Sequence, residues 1–349
     1  MTDTKNPRTR PDGSGRALHT AYDTALLDLD GVVYAGGDAL PHAVASLRAA
    51  EAGGMGLAYV TNNAARTPAT VAEHLTRLGV PADASEVVTS AQAVARVIAD
   101  DVPAGSRVLC SGGEGLRVAL RERGLVPVDS ADDDPAAVVQ GYGGPDMRWA
   151  LVSEAALAVW RGVPWYASNT DLTIPSGRGI MPGNGTAVEV VRLASGRTAG
   201  PVVAGKPLPP MHRETILRTG ASSPLVVGDR LDTDIEGAHA GGVDSLLVLT
   251  GVTTPAGLLT ARPDHRPTYV AADLRGLLVP HPEVVRDGGD AWRCGGVRAL
   301  VRDGRLVTEG EGDALDGLRA LCAAAWTAAG DGSCELSAGE ALERLGFAA

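Results

Sequence analysis

The sequence has few of the features that mark membrane proteins or nucleic-acid-binding proteins. Only 3% of its 349 residues are aromatic, with a single phenylalanine, and no apolar run approaches the roughly 20 residues needed to cross a bilayer. The net charge of −11 argues against a general binder of nucleic acid or anionic membrane, since no basic patch stands out. We therefore expect a protein with no nucleic-acid partner and no membrane insertion.

Cysteine is also scarce, and its spacing offers neither a zinc site nor a disulfide framework. There is no Cys-x-x-Cys motif and no nearby histidine pair. The four cysteines are Cys110, Cys294, Cys322 and Cys334. A reducing compartment is the simplest setting, so we expect a cytoplasmic protein. Residues 1–20 contain no apolar core of a signal peptide and are predicted to be a disordered tail.

Short apolar runs alternate with helical patterns along most of the chain. Strands are predicted at 25–27, 57–60, 108–110, 138–140, 165–167, 225–227 and 245–249. Helices are predicted at 68–78, 90–99, 115–123, 147–160, 209–219 and 235–240, with a long turn-rich loop after residue 167. This order predicts an α/β fold in which residues 21–85 and 199–279 form a Rossmann-like parallel-sheet core and residues 86–198 form an inserted α/β domain.

The character of the sequence changes beyond Pro280. A hairpin is predicted at 297–301 and 305–308, turned at Asp303-Gly304, and is followed by helices at 314–329 and 337–345. Residues 280–349 are therefore predicted to be a small, separate α+β unit.

Two acids, Asp28 and Asp30, follow the first predicted strand. The carboxyl ends of parallel strands are where open α/β sheets place their chemistry, so both acids could face one crevice. Taken alone, the segment favours a simpler interpretation, in which one Asp caps a helix and the other forms an Asp-Gly turn.

Three further segments carry polar groups at predicted strand or loop ends. Thr61, Asn62 and Asn63 could offer a hydroxyl and a backbone N–H to a phosphate oxygen, or could simply form a hydroxyl- or amide-capped turn. Lys206, held between Gly205 and Pro207, could be directed at an anion or could be a surface lysine.

The segment from Gly200 to Lys206 reads G-x-x-x-x-G-K, but Pro207 stands where a nucleotide P-loop needs Ser or Thr. The P-loop interpretation therefore fails. Asp229 and Asp234 offer oxygen ligands suited to Mg²⁺, and the alternative of helix capping is preferred for Asp232.

In this order, the four segments resemble the four motifs of the haloacid-dehalogenase-like superfamily of phosphotransferases. The inserted domain resembles the α/β cap of the type IIA branch, whose cap loop matches Ser168–Asp171, Pro175 and residues 182–186. The C-terminal unit is similar to the incomplete GNAT-like extension of actinobacterial glycerol-3-phosphate phosphatases.

The resemblance implies a role for each motif residue. Asp28 would be the nucleophile that forms an aspartyl phosphate, and Asp30 the general acid that then acts as base. Mg²⁺ would be held by Asp28, the backbone carbonyl of Asp30, Asp229 and Asp234, the last directly or through water. The phosphate would be bound by Thr61, the Asn62 amide and Lys206, with Asn63 beside them at the substrate.

Substrate choice is expected from the cap loop, at Asn169, Asp171 and Ile174. Asn169 and Asp171 could equally structure the loop. In the family that the chain resembles, the position just before the loop proline helps to choose the leaving group, and here it is Ile174. No imidazole is present there to sandwich an aromatic ring, which argues against pyridoxal phosphate. The expected activity is a magnesium-dependent phosphomonoesterase acting on a small-molecule phosphate ester, with glycerol 3-phosphate as the first candidate.

Several alternatives stay open. The substrate could be a sugar, nucleotide, pyridoxal or nitrophenyl phosphate, and the protein could be a non-catalytic phosphate-ligand sensor, a phosphotransferase or a mutase. Asp30 favours hydrolysis, because relatives that only shuttle phosphate lack an acid there. A homo-oligomer is a further possible state.

The C-terminal segment also raises the question of acetyl transfer. The sequence from Arg293 to Arg298 is similar to the glycine-rich loop pattern of acetyltransferases. However, Arg298 stands where that pattern has a small residue, and the segment continues into a predicted strand. Packing against the core or between subunits is therefore the expected role of the tail.

Overall fold

The chain passes from one folding unit into a second and back again in the computed structural model, which describes residues 8–80, 82–176, 178–330 and 336–347. Unit 1 takes the chain up to Leu57 and from Ala221 onward, and unit 2 comprises Ala58–Gly220. Unit 1 is therefore discontinuous in sequence, and the unit boundaries lie at different positions from the predicted domain limits near 85 and 199.

Unit 1 contains a parallel sheet whose strands are buried along almost their whole length. The strands lie in the order Tyr269–Ala271, Asp244–Val248, Pro224–Gly228 and Thr24–Leu27. The helices of unit 1 are Leu18–Ala21, Ala43–Ala52, Glu236–Ala240, Pro255–Leu259, Ala314–Ala329 and Gly339–Arg344, with 3₁₀ turns at Pro263–His265 and Leu274–Leu278. Leu27 lies opposite Val227, so these two strands end at the same edge of the sheet.

The C-terminal segment forms an antiparallel meander followed by a long helix. Its strands are Val284–Arg286, Trp292–Cys294, Val297–Arg302 and Arg305–Gly310. The predicted hairpin turn is present, with positive φ at Asp303 (50°) and Gly304 (73°), as a two-residue turn between twisted strands requires. A further short hairpin, Tyr34–Ala35 with Asp38–Ala39, lies near the start of unit 1.

The C-terminal helix and the parallel sheet share one hydrophobic cluster. Leu318, Leu321 and Trp326 of Ala314–Ala329 are fully buried in the same cluster as Leu247 and Leu258. The Trp326 indole N–H donates to the Leu258 carbonyl at 3.0 Å. Of the two roles expected for the tail, packing against the core and packing between subunits, these contacts show the first, and residues on both sides of the predicted boundary at 280 share one core.

Residues 8–20 correct the prediction of a disordered tail. The Asp12 N–H donates to the Thr268 carbonyl at 2.8 Å, and the Ser14 N–H donates to the His281 carbonyl at 2.9 Å. The Arg10 guanidinium lies 5.9 Å from the centre of the Trp292 ring. The partners lie more than 250 positions away, so local composition could not reveal this ordering; residues 1–7 lie outside the described ranges.

Unit 2 contains a five-stranded parallel sheet and, outside that sheet, a parallel strand pair. The sheet order is Val202–Val203, Trp165–Ala167, Ala137–Gln140, Arg107–Ser111 and Val126–Val128. The strand Gly56–Thr61, which begins in unit 1, pairs through Tyr59 to Thr61 with Val87–Thr89. The helices are Pro68–Arg77, Ser90–Asp101, Glu114–Glu122, Trp149–Trp160, Asn184–Ser195 and Pro209–Thr219, with 3₁₀ turns at Ala84–Glu86 and Ala131–Asp133.

The prediction of a long loop after residue 167 is wrong over two segments. Thr173–Ser176 and Gly179–Pro182 form an antiparallel hairpin, and Asn184–Ser195 is a helix. Its sequence has helical apolar spacing, with Val188 and Val191 buried, but the glycines at its start obscure the beginning.

A buried carboxylate ties three helices of unit 2 together. Glu214 of Pro209–Thr219 is fully buried and accepts hydrogen bonds from Arg96, from Arg123 at 2.9 Å and from Arg218 at 2.5 Å. Burial raises the pKa of this carboxyl, but the Arg96 and Arg218 guanidinium groups outweigh that effect and hold the pKa below its ordinary value. This contact explains why the helix 209–219, predicted in the core, groups with unit 2.

No helix within the described ranges is both long and apolar enough to span a membrane. Cys110, Cys294 and Cys322 are free and buried, while Cys334 lies outside the described residues. Burial raises the pKa of the Cys110 and Cys294 thiols to about 12, so both are neutral at pH 7.

Replacing Glu214→Gln should lower the free energy of unfolding by about 3 kcal/mol at pH 7, because three arginines lose their shared carboxylate. The difference from wild type should shrink as pH falls below the ordinary glutamate pKa, since the stabilisation depends on the ionised form. Urea unfolding at several pH values measures it. Glu189→Gln, which alters an exposed pair with Arg192, is the control and should cost under about 1 kcal/mol.

Replacing Trp326→Ala should destabilise unit 1 by about 3–5 kcal/mol, through the cavity and the lost hydrogen bond to Leu258. The measurement is urea unfolding followed by circular dichroism. Trp149→Ala, at a position 69% exposed, serves as the matched control. Equal midpoints for the two variants would contradict a shared core.

Candidate active site

Two carboxylates of unit 1 follow neighbouring parallel strands. Thr24–Leu27 is followed by Asp28, and Pro224–Gly228 by Asp229. The Asp28 N–H donates to the Val227 carbonyl at 2.9 Å, so the strand pairing extends to Asp28 and fixes its main chain. Asp229 is 1% exposed, whereas Asp28 is half-buried. Asp28 is therefore the more accessible of the two carboxylates.

A third carboxylate comes from a single π-helical turn, Leu231–Ile235, which leads into Glu236–Ala240. Asp234 is 1% exposed, and one of its oxygens accepts from the Arg230 N–H at 3.2 Å. One carboxylate oxygen from each of Asp28, Asp229 and Asp234 lies within 4.8 Å of the other two. The structure thus brings together three of the four acids singled out in the sequence.

Glycine at position 31 is required by this arrangement. Its φ is +84°, and a Cβ there would lie 2.6 Å from an Asp229 oxygen. The Gly31 N–H donates to the Tyr34 carbonyl at 2.8 Å, which closes the turn after Asp30. The Asp30 side chain is exposed and is not a member of the three-carboxylate group.

The loop after Asp244–Val248 supports the cluster, although none of its residues was predicted to belong to the site. The Val252 N–H donates to an Asp229 oxygen at 2.6 Å, and the Thr250 hydroxyl donates to the Gly31 carbonyl at 2.6 Å. A Cβ on Gly251 would lie 1.9 Å from an Asp229 oxygen. The available signal was a Thr-Gly pair following a predicted strand at the same sheet edge.

Three carboxylates this close repel one another unless a cation or protons lie between them. Their hard oxygen donors fit Mg²⁺, which uses few carboxylates and keeps several waters. A second acidic group, Glu236, Asp264 and His265, differs because the Arg262 guanidinium already contacts all three. The cluster of Asp28, Asp229 and Asp234 is therefore the candidate metal site of unit 1.

In unit 2, the end of Gly56–Thr61 forms a polar turn. Thr61 is 4% exposed, and its hydroxyl oxygen accepts from the Asn63 N–H at 3.1 Å. The Asn63 side-chain oxygen accepts from the Ala65 N–H at 2.9 Å and the Arg66 N–H at 3.3 Å. These bonds support the turn-forming alternative for Asn63.

Asn62 links this turn to Lys206. The Asn62 side-chain oxygen accepts from the Lys206 N–H at 2.8 Å, and its NH₂ group lies 3.2 Å from both the Lys206 carbonyl and an Asp171 oxygen. The Lys206 ammonium donates to the Val60 carbonyl at 3.2 Å. The lysine is thereby held at the end of the strand that carries Thr61, which a surface lysine would not be.

The predicted cap-loop residues Asn169 and Asp171 bond mainly within this network. Asn169 is 4% exposed, donates to the Asn62 carbonyl at 2.7 Å and accepts from the Asp171 N–H at 3.2 Å. Asn184 donates to the Asn169 carbonyl at 2.7 Å. These contacts support the loop-structuring alternative for both residues.

Ile174 lies on the hairpin strand Thr173–Ser176, opposite Met181. It is half-buried, whereas Leu172, just before this strand, is 62% exposed and Ile180 of the partner strand is 72% exposed. Among the described side chains of the hairpin, Ile174, Ile180, Met181 and Pro182 are apolar, and Arg178 lies exposed at the turn.

The glycine pair of the C-terminal segment does not begin a helix. Gly295 and Gly296 form the tight turn between Trp292–Cys294 and Val297–Arg302. The helix Ala314–Ala329 is capped at its start by the Asp313 carboxylate, which accepts from the Leu315 and Asp316 N–H groups. The glycine pair does not resemble a pyrophosphate site because it does not lead into a helix. The start of Ala314–Ala329 does not resemble one because the Asp313 carboxylate already accepts its free N–H groups.

Comparisons with known proteins match three parts of the chain to family models. The haloacid dehalogenase-like hydrolase model matches residues 25–126, a HAD-hydrolase-like model matches 203–277, and a GCN5-related N-acetyltransferase-like domain model matches 294–347. These matches cover the carboxylates, Lys206 and the C-terminal segment.

Curated relatives and a solved structure extend the similarity. The chain is 41% identical over 323 residues to D-glycerol 3-phosphate phosphatase of Mycobacterium tuberculosis, covering 90% of this chain and 88% of that protein. It is 37% identical over 255 residues to acid sugar phosphatase of Staphylococcus haemolyticus, covering 72% and 94%. A crystal structure of the M. tuberculosis glycerol phosphate phosphatase in complex with magnesium matches with a TM-score of 0.84 at 39% identity, covering 95% and 99%.

Magnesium should raise the thermal midpoint of the protein, and Asp229→Asn should abolish most of that rise by removing a ligand. At roughly 100 times its Kd, magnesium stabilises a folded protein by about 2.7 kcal/mol. Thermal unfolding with and without magnesium measures the effect. The control is Asp232→Asn, an exposed acid paired with Arg230, and an equal loss in this variant would contradict the assigned site.

Proposed function

The chain belongs to the haloacid dehalogenase-like hydrolases, and we propose that it is a magnesium-dependent phosphomonoesterase that converts glycerol 3-phosphate to glycerol and phosphate. The observation that carries the proposal is the convergence of Asp28, Asp229 and Asp234 within 4.8 Å at the ends of neighbouring strands. The family expected from the four sequence motifs is confirmed.

Asp28 is the proposed nucleophile. Its carboxylate oxygen attacks phosphorus, forming an acyl phosphate as the ester P–O bond breaks, and Asp30 gives its proton to the departing alkoxide. The half-buried position of Asp28, beside two buried carboxylates, supports this choice.

Asp30 then acts as the base of the second step. Its carboxylate takes a proton from water, the water oxygen attacks phosphorus, and the bond to Asp28 breaks to release phosphate. Exposure of the Asp30 side chain next to the turn at Gly31 supports a group that exchanges protons with substrate and water.

The bound metal would be held by Asp28, Asp229, Asp234 and the Asp30 carbonyl, and its charge would reduce repulsion between the nucleophile and the phosphate. Thr61, the Asn62 backbone amide and Lys206 are proposed to bind the phosphoryl oxygens. The Asn62 side chain instead positions the Lys206 main chain, as its hydrogen bonds indicate.

The substrate assignment rests on similarity over most of the chain. The glycerol phosphate relative matches 90% of this chain, against 72% for the acid sugar phosphatase. The residues of the cap hairpin, with Ile174 before Pro175, offer no ring to stack on an aromatic substrate. We propose a cytoplasmic enzyme acting on a small, polyol-like phosphate.

The nucleophile is tested by trapping the intermediate. With nitrophenyl phosphate, whose leaving group needs no protonation, Asp30→Asn should accumulate an acid-stable, hydroxylamine-sensitive phosphoprotein, because the second step lacks its base. Asp28→Asn should form none and should lose at least roughly 10⁴-fold in turnover. Asp232→Asn is the matched control and should behave as wild type.

A phosphate-release screen tests the substrate separately. Both enantiomers of glycerol 3-phosphate, sugar phosphates, nucleotides and pyridoxal phosphate are compared by kcat/KM under magnesium. A preference for another ester would replace the substrate while keeping the chemistry. Tight binding of phosphate esters without any release would instead contradict the phosphatase and indicate a sensor.

A further inference from the structure

Three asparagines of unit 2, Asn62, Asn169 and Asn184, form one hydrogen-bonded line that ends at Lys206. Asn184 is 2% exposed, Asn169 is 4% exposed, and Asn62 is half-buried. Taking a side-chain amide out of water costs free energy unless its polar atoms find partners inside the protein. The bonds that these three amides make therefore decide what their burial achieves.

The line begins at Asn184, the first residue of helix Asn184–Ser195. Its side-chain NH₂ group donates to the Asn169 carbonyl at 2.7 Å and lies 3.4 Å from the Gln140 carbonyl. The side-chain NH₂ group of Asn169 donates in turn to the Asn62 carbonyl at 2.7 Å. Each side chain therefore holds the main chain of the next residue in the line.

Asn62 ends the line at both main-chain polar groups of Lys206. Its side-chain oxygen accepts from the Lys206 N–H at 2.8 Å, and its NH₂ group lies 3.2 Å from the Lys206 carbonyl. The ammonium of Lys206 donates to the Val60 carbonyl at 3.2 Å, one residue before Thr61. Because a lysine side chain is long and flexible, a fixed main chain limits the positions that its ammonium can reach.

Glycines allow the main chain to pack closely at both ends of this line. A Cβ on Gly205 would lie 2.6 Å from the Asn62 side-chain oxygen, and a Cβ on Gly185 would lie 2.2 Å from the Thr170 carbonyl oxygen. The Gly185 N–H also donates to the Asp171 carbonyl at 2.9 Å. Densely packed segments of this kind transmit a displacement to their neighbours.

The side chain of Asn184 is not needed to begin its own helix. The cap position before the helix belongs to Gly183, which makes no side-chain bond. The Asn184 NH₂ group instead faces two main-chain carbonyls, and within the described part of the chain its side-chain oxygen has no hydrogen-bond partner. The amide at position 184 therefore serves to hold the Asn169 main chain.

We propose that Asn184 is a positioning residue for Lys206 and acts through Asn169 and Asn62. Loss of its NH₂ group frees the Asn169 main chain, which weakens the support of Asn62 and lets the Lys206 ammonium move away from the phosphoryl oxygens. This inference rests on the proposed function, in which Lys206 binds the phosphate. The line also passes through the cap loop Ser168–Asp171, so that loop and the phosphate-binding lysine share one support.

The test measures the Kd of inorganic phosphate for the full chain at saturating magnesium, by isothermal titration calorimetry. Lys206→Ala should weaken binding by roughly 50-fold, because a charge-assisted hydrogen bond is lost. Asn184→Ala should weaken it by about 5-fold, because the lysine keeps its charge but loses its fixed position. If Asn184→Ala does not fold, Asn169→Ala cuts the same line at its next link and carries the same expectation.

The matched control is Val188→Ala, on the same helix as Asn184 and 3% exposed. The cavity that it leaves should destabilise unit 2, but phosphate should bind as it does to wild type. Circular dichroism and urea unfolding show that each variant is folded and by how much it is destabilised. An equal loss of phosphate affinity in Val188→Ala would overturn the positioning role.

A double-mutant cycle separates positioning from general damage to the fold. The variant with both Lys206→Ala and Asn184→Ala should bind phosphate as weakly as Lys206→Ala alone, because no ammonium is left to position. Additive losses, or wild-type affinity in Asn184→Ala beside a weakened Lys206→Ala, would overturn this inference alone. Unchanged affinity in Lys206→Ala would overturn both the inference and the proposed role of Lys206 as a phosphate ligand.

Discussion

The mutual repulsion of three carboxylates is the constraint around which unit 1 is organised. Asp28, Asp229 and Asp234 must be held within 4.8 Å although each disfavours the others. Parallel pairing of two strands fixes the first two, and a π turn delivers the third. The backbone N–H groups of Arg230 and Val252 donate to these carboxylates and offset part of their negative charge. Gly31 and Gly251 approach Asp229 so closely that a Cβ at either position would collide with its carboxylate.

The sequence predicted the elements whose signals are local. The helices 209–219 and 314–329 and the strand 165–167 have the predicted bounds, because proline, glycine or apolar spacing marks their ends. Short strands such as Val87–Thr89 and Tyr269–Ala271 went unpredicted, since three residues carry too little pattern. The ordered path of residues 8–20 depends on partners that lie far along the chain.

Part of the candidate site was predictable from the sequence, because some of its residues carry local signals. Acids at predicted strand ends identified Asp28 and Asp229, because parallel strands end at one edge. The hydrogen bonds of Asn62 to Lys206 and Asp171 could not be read from the sequence, since they join residues more than 100 positions apart. Together with the Glu214 cluster, they explain why the Lys206 segment folds with unit 2.

The distribution of tryptophans gives each unit its own optical signal. Trp292 and Trp326 are buried in unit 1, and Trp165 is buried in unit 2, whereas Trp149 and Trp160 of unit 2 face water. Buried indoles emit at shorter wavelengths than hydrated ones. Unfolding of unit 1 therefore shifts the emission of Trp292 and Trp326 to longer wavelengths. Single-tryptophan variants of this one chain could therefore follow the unfolding of each unit by fluorescence, without an added label.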